Sequence, residues 1–518
     1  MSSAVRSLFP PDYRASGLLL HITSLPSPYG IGDLGPAAYT WIDRLADADQ
    51  TWWQALPLGP TGYGNSPYQC LSSFAGNGLM ISPDFLIEDG LLEPDECRGA
   101  FSSTTIDYDV VVPFKHRLLK LAWARFRAGA RKDLIPAYEQ FCQQRADWLE
   151  DYALFRALKQ RFNGDHYLQW PQPLVERERS ALEEARRTLA DEIDHVRLAQ
   201  FLLNRQAKRL KEYAHTKGVR LIGDLPFFVS PDSSDVWADP EYFLLDQHHR
   251  PQVVAGVPPD YFSSDGQLWG NPIYNWDILR CTGYVWWIDR LRALLAHVDI
   301  VRLDHFRAFA AAWHVPAGAQ TAKNGDWVAG PGPDLFKAVH AELGNLPFIA
   351  EDLGVITPDV SALRDGLEIP GTRVLQFGFE GDLDNPHLPH NYPHNSVVYT
   401  GTHDNATTRE WYEGLTVREQ RQVLGYLNRS ELEVRDAAPE LLRVAWSSPA
   451  GLAVAPLQDL LNLGREGRMN VPGSAEGNWR WRATWHMLSA WNFQWLKDLT
   501  TISNRRGFPE PTTMTAAS

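Results

Sequence analysis

The chain has 518 residues, with 49 Lys+Arg against 63 Asp+Glu and a formal net charge of −14. That balance argues against a basic nucleic-acid-binding body and against electrostatic attachment to anionic lipid. Hydrophobic residues at 44% and charged residues at 22% exclude a disordered chain and call for a large core. Twenty Trp, 18 Tyr and 22 Phe are heavy aromatic usage. Such rings are core fillers first and flat platforms for sugars or cations second, and composition alone does not separate the two. The four cysteines, Cys70, Cys97, Cys142 and Cys281, form no C-x-x-C pair. They suggest neither a zinc knuckle nor a disulfide framework, and a reducing compartment is expected. The N-terminus carries no secretory pattern, and every apolar run is far shorter than the ~20 residues that span a bilayer. A soluble, cytoplasmic protein is expected.

Short apolar, β-branched runs recur along the chain. In order they are Leu18–Ile22, Thr51–Leu56, Val219–Gly223, Val298–Leu303, Pro347–Ala350, Thr372–Phe377, Ser396–Thr400 and Gly451–Ala455. Each reads as a buried strand, and the later ones alternate with stretches of helical period such as Asp334–Leu343 and Pro358–Gly366. Eight such strands predict a single α/β unit, a (β/α)₈ TIM barrel over 1–518. The gap between the second and third strands is too long for one crossover, so residues 57–218 are an inserted, mainly helical subdomain. Lys115–Arg127 and Ser180–Lys217 are its strongest helical stretches. A second insertion, 226–297, is rich in Pro, Asp, Tyr and Trp, and irregular segments of that length are usually functional. Residues 505–518 are expected to form a flexible tail. The chain shows no internal repeat.

Several strands end in acidic residues. A barrel enzyme gathers its chemistry at the carboxyl ends of its strands, but Asp there also caps the following helix, and each residue alone admits both readings. In Val301-Arg302-Leu303-Asp304-His305-Phe306-Arg307 an Arg flanks a strand-end carboxylate and is expected to keep it ionised, as a nucleophile requires. In Ile349-Ala350-Glu351-Asp352 the two acids point to opposite faces, so one meets the mouth while the other caps or pairs elsewhere. A Glu against an apolar wall has the raised pKa of a general acid. In Tyr399-Thr400-Gly401-Thr402-His403-Asp404-Asn405 an adjacent His and Asp suit vicinal hydroxyls. Gly223-Asp224-Leu225 supplies another strand-end acid. Phosphate-binding glycine loops and a G-x-S-x-G elbow are absent from the sequence. A nucleophile, an acid and a third carboxylate on separate strand ends fit retaining glycoside chemistry, and the aromatic surplus then reads as sugar-stacking surface.

At these residues the sequence resembles the 4-α-glucanotransferases of the amylomaltase, or disproportionating-enzyme, family within the α-amylase clan. The resemblance runs from His21-Ile22-Thr23-Ser24-Leu25-Pro26 to Arg468-Met469-Asn470-Val471-Pro472-Gly473. Its most specific parts are Gly59–Gln69 and Gly256-Val257-Pro258-Pro259-Asp260-Tyr261-Phe262, continuing to Gly266–Pro272. It implies a barrel without a C-terminal β-sandwich. Asp304 is implied as nucleophile, Glu351 as acid/base and Asp404 as the third carboxylate. Arg302 would hold Asp304, Asp224 and His403 would bind glucose hydroxyls, and Tyr68 would stack on the donor sugar. Asn405 and Asn470 are further substrate-binding residues. The segment with Gln267 and Trp269 resembles a lid over the acceptor side, and Tyr63 and Tyr108 match aromatics of a second glucan groove. The implied partners are α-1,4-glucans and maltooligosaccharides, with glucose as acceptor and neither nucleic acid nor membrane. The scheme uses no cofactor and no metal, and long glucans could also be cyclised. A hydrolase of the same clan, or a non-catalytic glucan-binding protein, is the alternative. Two positions depart from the family pattern: Ala308 stands where Gly is usual, and Asn65 where an acid is common.

Overall fold

The structure, a computed structural model, describes residues 7–259, 264–474 and 476–507. Asp260, Tyr261 and Phe262 of the expected lid, and residues 508–518 of the expected tail, lie outside the described residues. Strands run β1 (Ala15–Leu19), β2 (Trp52–Gln54), β3 (Arg220–Leu225), β4 (Val253–Val257), β5 (Gln267–Pro272), β6 (Ile300–Leu303), β7 (Ala311–Pro316), β8 (Asp326–Ala329), β9 (Phe348–Ala350), β10 (Gly371–Val374), β11 (Ser396–Tyr399) and β12 (Leu452–Pro456). Eight of them close a barrel in the order β1-β12-β11-β10-β9-β6-β3-β2. Every pairing in it is parallel. These are the eight apolar runs of the sequence, buried on both faces as a helix-wrapped parallel sheet demands. Gly17 lets the first two strands meet: a Cβ there would lie 2.3 Å from the Trp52 carbonyl oxygen.

Two boundaries differ from the sequence reading for a common reason. Apolar residues continue past β1 and β10, but the chain turns helical there, at Ile22–Ser24 and Leu375–Gly378. A run of buried apolar residues does not by itself say where strand gives way to helix.

Between β2 and β3 the chain builds helices Tyr108–Arg127, Ile135–Gln144, Ala146–Arg161, Arg179–Thr188 and Ala190–Thr216. The expected helix over Ser180–Lys217 is broken at Leu189, which leaves helical geometry at φ −112° and ψ 23°. Residues 226–297 hold β4 and β5, which form a four-stranded sheet in the order β5-β4-β7-β8. The segment expected to be an irregular insertion is therefore in part a sheet, and that sheet extends beyond residue 297 because β7 and β8 follow β6. After β12 the described chain adds helices but no strand.

The sequence reading places Arg505 in the tail, but the structure packs it into the core. Arg505 is fully buried, and its guanidinium donates to the carbonyls of Ala15, Trp446, Ser448 and Ala450. The tryptophans are mainly core: ten of the 20 are buried, and Trp327, Trp485 and Trp491 are the exposed ones. Among the described residues no helix is long and apolar enough to cross a membrane.

Candidate active site

The site grows out of strand register. Asp224 on β3 is the direct partner of Arg302 on β6, so the two side chains share a face. Ile349 on β9 is the partner of Arg302 from the other side. Alternation then puts Asp304 and Glu351, each two residues on, on that same face at the carboxyl ends of neighbouring strands. The ladder continues through them: the Asp304 N–H donates to Leu225 O and the Glu351 N–H to Leu303 O, both at 3.0 Å.

One nitrogen of Arg302 serves two carboxylates. Its Nη1 lies 2.9 Å from both Asp224 oxygens and 3.1 Å from Asp304 Oδ1. Tyr68 donates to Asp224 Oδ2 at 2.7 Å. Burial pushes Asp224 upward against the pull of Arg302 and Tyr68. Burial also pushes Asp304 up to about 6; Arg302 opposes it, and Asp224 and Asp404 reinforce it. Arg302 favours the ionised form of Asp304, but the guanidinium is shared and Asp224 adds a like charge.

Glu351 is held differently. Its Oε2 accepts the backbone N–H of His305 at 2.7 Å. His305 has a left-handed φ of 49°, a conformation costly for a non-glycine residue. Burial, helped by Asp304, pushes Glu351 well above the usual carboxylate range. Asp352 points the other way and is buried among Arg364, Arg373 and the Thr372 N–H, so it is structural.

The third acid sits on the turn after β11. Asp404 Oδ1 accepts from Asn470 Nδ2 at 2.6 Å, and Oδ2 lies 3.3 Å from His403 Nε2. Asn405 shapes this turn: its Oδ1 accepts from the Thr402 N–H at 2.9 Å and the Thr402 hydroxyl at 2.8 Å. The His403 ring stacks on Tyr68 at 5.1 Å and 11°. Burial lowers the His403 pKa, against the pull of Asp404, and favours a neutral imidazole. Among the described residues no cluster of three His, Cys, Asp or Glu is arranged to hold a metal ion.

A 4-alpha-glucanotransferase family model matches residues 20–488. The chain belongs to the 4-α-glucanotransferase family. It is a hexosyltransferase of that activity, acting on α-glucans. A 4-alpha-glucanotransferase of Synechocystis is 49% identical over 500 residues, covering 96% of this chain and 99% of its own. One from Thermus thermophilus is 48% identical over 477 residues, covering 90% and 94%. An amylomaltase from Streptococcus agalactiae, solved in complex with acarbose, superposes at a TM-score of 0.91 with 38% identity, covering 95% of this chain and 99% of that one.

On this glucanotransferase scaffold the segment expected over the acceptor carries aromatic rings. Trp269 on β5 sets its ring edge-on to His305 at 4.8 Å, and its Nε1 donates to Gln267 Oε1 at 3.2 Å. The two residues expected in a second groove part company. Tyr63 is 79% exposed. Tyr108 is buried with Ile31, Leu79, Ile106 and Val111, and its hydroxyl donates to Trp479 O at 2.8 Å. Tyr108 is thus a core residue that presents no free face, because it opens a helix packed on that cluster. Ala308 is fully buried within the helical turn Arg307–Ala310, so its methyl is accommodated. Asn65 adopts φ 56°, a left-handed turn position that Asn tolerates well.

Sequence reasoning missed Trp479, whose ring lies 6.0 Å from Tyr68 and 5.9 Å from His403. No motif marks it. His21 opens the first stretch of the family resemblance, and its residue type alone assigns it no role. It is buried two residues past β1 with Nδ1 unpartnered among the described residues, and burial together with His403 lowers its pKa to about 3.

Proposed function

We propose that this 4-α-glucanotransferase works by retaining double displacement, with Asp304 as nucleophile and Glu351 as acid/base. The register that puts both carboxylates on one face of β6 and β9 carries this reading. An Asp304 oxygen attacks the anomeric carbon of an α-1,4-glucan as Glu351 gives its proton to the departing glycosidic oxygen. The reducing-end fragment leaves. Glu351, now a carboxylate, takes the proton of an incoming 4-hydroxyl, whose oxygen attacks the same carbon and releases Asp304. Glu351's raised pKa supports its starting protonated.

Asp404, steadied by Asn470 and His403, accepts hydrogen bonds from hydroxyls of the distorted sugar. Asp224 and Arg302 bind the same ring, and Tyr68 stacks on it. Asn405 acts by holding the turn that carries His403 and Asp404. Gln267 and Trp269 seat the acceptor, a glucose or maltooligosaccharide, and exclude water so that transfer outruns hydrolysis. A long bound chain presents its own 4-hydroxyl and closes a cyclic glucan. Four unpaired thiols suit a cytoplasmic setting.

Incubation with maltotriose alone tests this. Glucose plus a ladder of longer maltooligosaccharides, with total reducing ends constant, is the expected result. Rising reducing ends without longer products would overturn it in favour of hydrolysis.

A further inference from the structure

Outside the cleft, two of the three exposed tryptophans lie close together in the chain. Trp485 is 53% exposed and Trp491 81% exposed. Trp491 opens the helix Ala490–Ile502, whose inner face buries Phe493, Leu496, Leu499 and Thr500. Trp495, half-buried, stands four residues on, about 6 Å further along the axis and on the same side. Polar groups flank the rings: Gln494 donates to Asp498 at 3.0 Å, and the Arg443 guanidinium lies 5.7 Å from the Trp495 ring.

The position of this patch along the barrel follows from its connections. The segment leading to it passes through the site, where Asn470 binds Asp404 and Trp479 lies beside Tyr68. The Ala483 N–H then donates at 2.8 Å to Ser24 O, just past the carboxyl end of β1. Beyond the helix, Arg505 binds Ala15 O at the start of β1. The helix therefore runs from the catalytic mouth to the opposite pole, and Trp485 and Trp491 sit at the mouth end.

We propose that Trp485 and Trp491, backed by Trp495, form a platform that holds a stretch of α-1,4-glucan outside the cleft. The choice of occupant rests on the α-glucan reading of the cleft. A glucose ring offers an apolar C–H face to an indole and a hydroxyl edge to flanking Gln, Asp and Arg groups. A polymer longer than the cleft continues past its rim, and the helix that carries Trp491 starts at that end of the barrel. Protein partners fit the surface poorly. Three indoles at about 150–250 Å² each, one of them half-buried, fall short of the roughly 800 Å² that each side of a stable protein interface buries, and a convex helix adds little.

Native gels with and without glycogen test the platform, with Asp304→Asn as background so that glycogen is not remodelled during the run. Adding Trp485→Ala and Trp491→Ala should weaken glycogen retardation about tenfold in dissociation constant, equivalent to about 1.4 kcal/mol. Trp491→Phe, which keeps a stacking face, should retain most of the retardation. In the active protein the same double substitution should leave maltotriose disproportionation unchanged and raise KM for long amylose. Unchanged retardation would overturn the proposal. So would a double variant whose sedimentation without glycan shows that an oligomer has come apart, since the patch would then join copies of the chain. Absence of maltotriose transfer by the unmodified protein would instead overturn the reading of the cleft.

Discussion

Asp304 and Glu351 share a face but not an environment, and the pH dependence of transfer follows from that difference. In the proposed mechanism Asp304 must be ionised to attack, and its pKa is pushed up to about 6 by burial. In the same proposal Glu351 must be protonated to expel the leaving group, and burial raises it well above its usual range. Activity should therefore fall on the acid side as Asp304 gains a proton and on the alkaline side as Glu351 loses one. A bell-shaped kcat/KM profile with its acid limb near 6 is expected, the two limbs belonging to the coupled pair. Asp224→Asn removes a like charge and leaves Arg302 to Asp304 alone, so it should move the acid limb to lower pH while raising KM. A limb that stays in place would refute the shared-guanidinium account. Asp304→Asn should lower kcat by about a thousandfold or more, measured by glucose release from maltotriose. The backbone of His305 matters as much as its ring. His305→Gly keeps a left-handed φ comfortably and with it the N–H to Glu351, whereas His305→Val resists that φ by about 1–2 kcal/mol. The Val variant should be the less active and the lower melting of the two. The acids were legible in the sequence because each ends an apolar run. The sharing of Arg302 was not, because Asp224 lies 78 residues away and only register brings it close.

At the scale of elements, the helical insertion is clamped to the loop that carries Tyr68. Two glutamines on Ala190–Thr216 each grip one residue's backbone in the chain after β2. Gln200 donates to Gly76 O and accepts from Gly76 N, both at 2.9 Å. Gln206 does the same to Ser82, at 3.3 and 2.8 Å. Deeper in, Lys115 is buried, donates to Ile81 O at 2.7 Å and pairs with Asp33. Loops without regular structure must satisfy their buried amides somehow, and here a helix does it with side chains. Gln200→Ala leaves the half-buried N–H and C=O of Gly76 without their partner, so about 1–2 kcal/mol should be lost in urea denaturation. The donor-side KM should also rise, because the loosened loop leads back to Tyr68. Retained stability would show that water replaces the clamp. The barrel strands were legible from β-branched runs, but these clamps were not, since Gln at a helical position reads as solvated surface. The four-stranded sheet is harder to read for another reason: Trp327, Val328 and Ala329 make β8 apolar, yet it is exposed along its length, so its pattern does not report burial.

A barrel must close on itself, and here closure joins β1 to β12, strands more than four hundred residues apart. Register alone pairs them, but the seam has a second fastening below. Arg505 reaches Ala15 O at 3.1 Å, Ala450 O at 2.9 Å, Ser448 O at 2.7 Å and Trp446 O at 2.6 Å. The first of these begins β1, and the others lie in the approach to β12. Arg14 also donates to Ser448 O at 2.9 Å and Trp446 O at 3.2 Å, so loss of Arg505 would fall hardest on Ala15 O and Ala450 O. The sequence showed only an Arg near a Pro- and Thr-rich end, and such an Arg is ordinarily a solvated one. Its partners are what give it weight, and they are distant in the chain. Ending the chain after Gly507 should leave the urea midpoint unchanged. Ending it after Asn504 removes the guanidinium and should cost about 3 kcal/mol or more, with the seam opening first in hydrogen exchange at β1 and β12. Arg505→Lys should fall nearly as far, because one ammonium cannot span four carbonyls set around a planar fork. Equal midpoints for the two truncations would mean that register pairing alone holds the barrel shut.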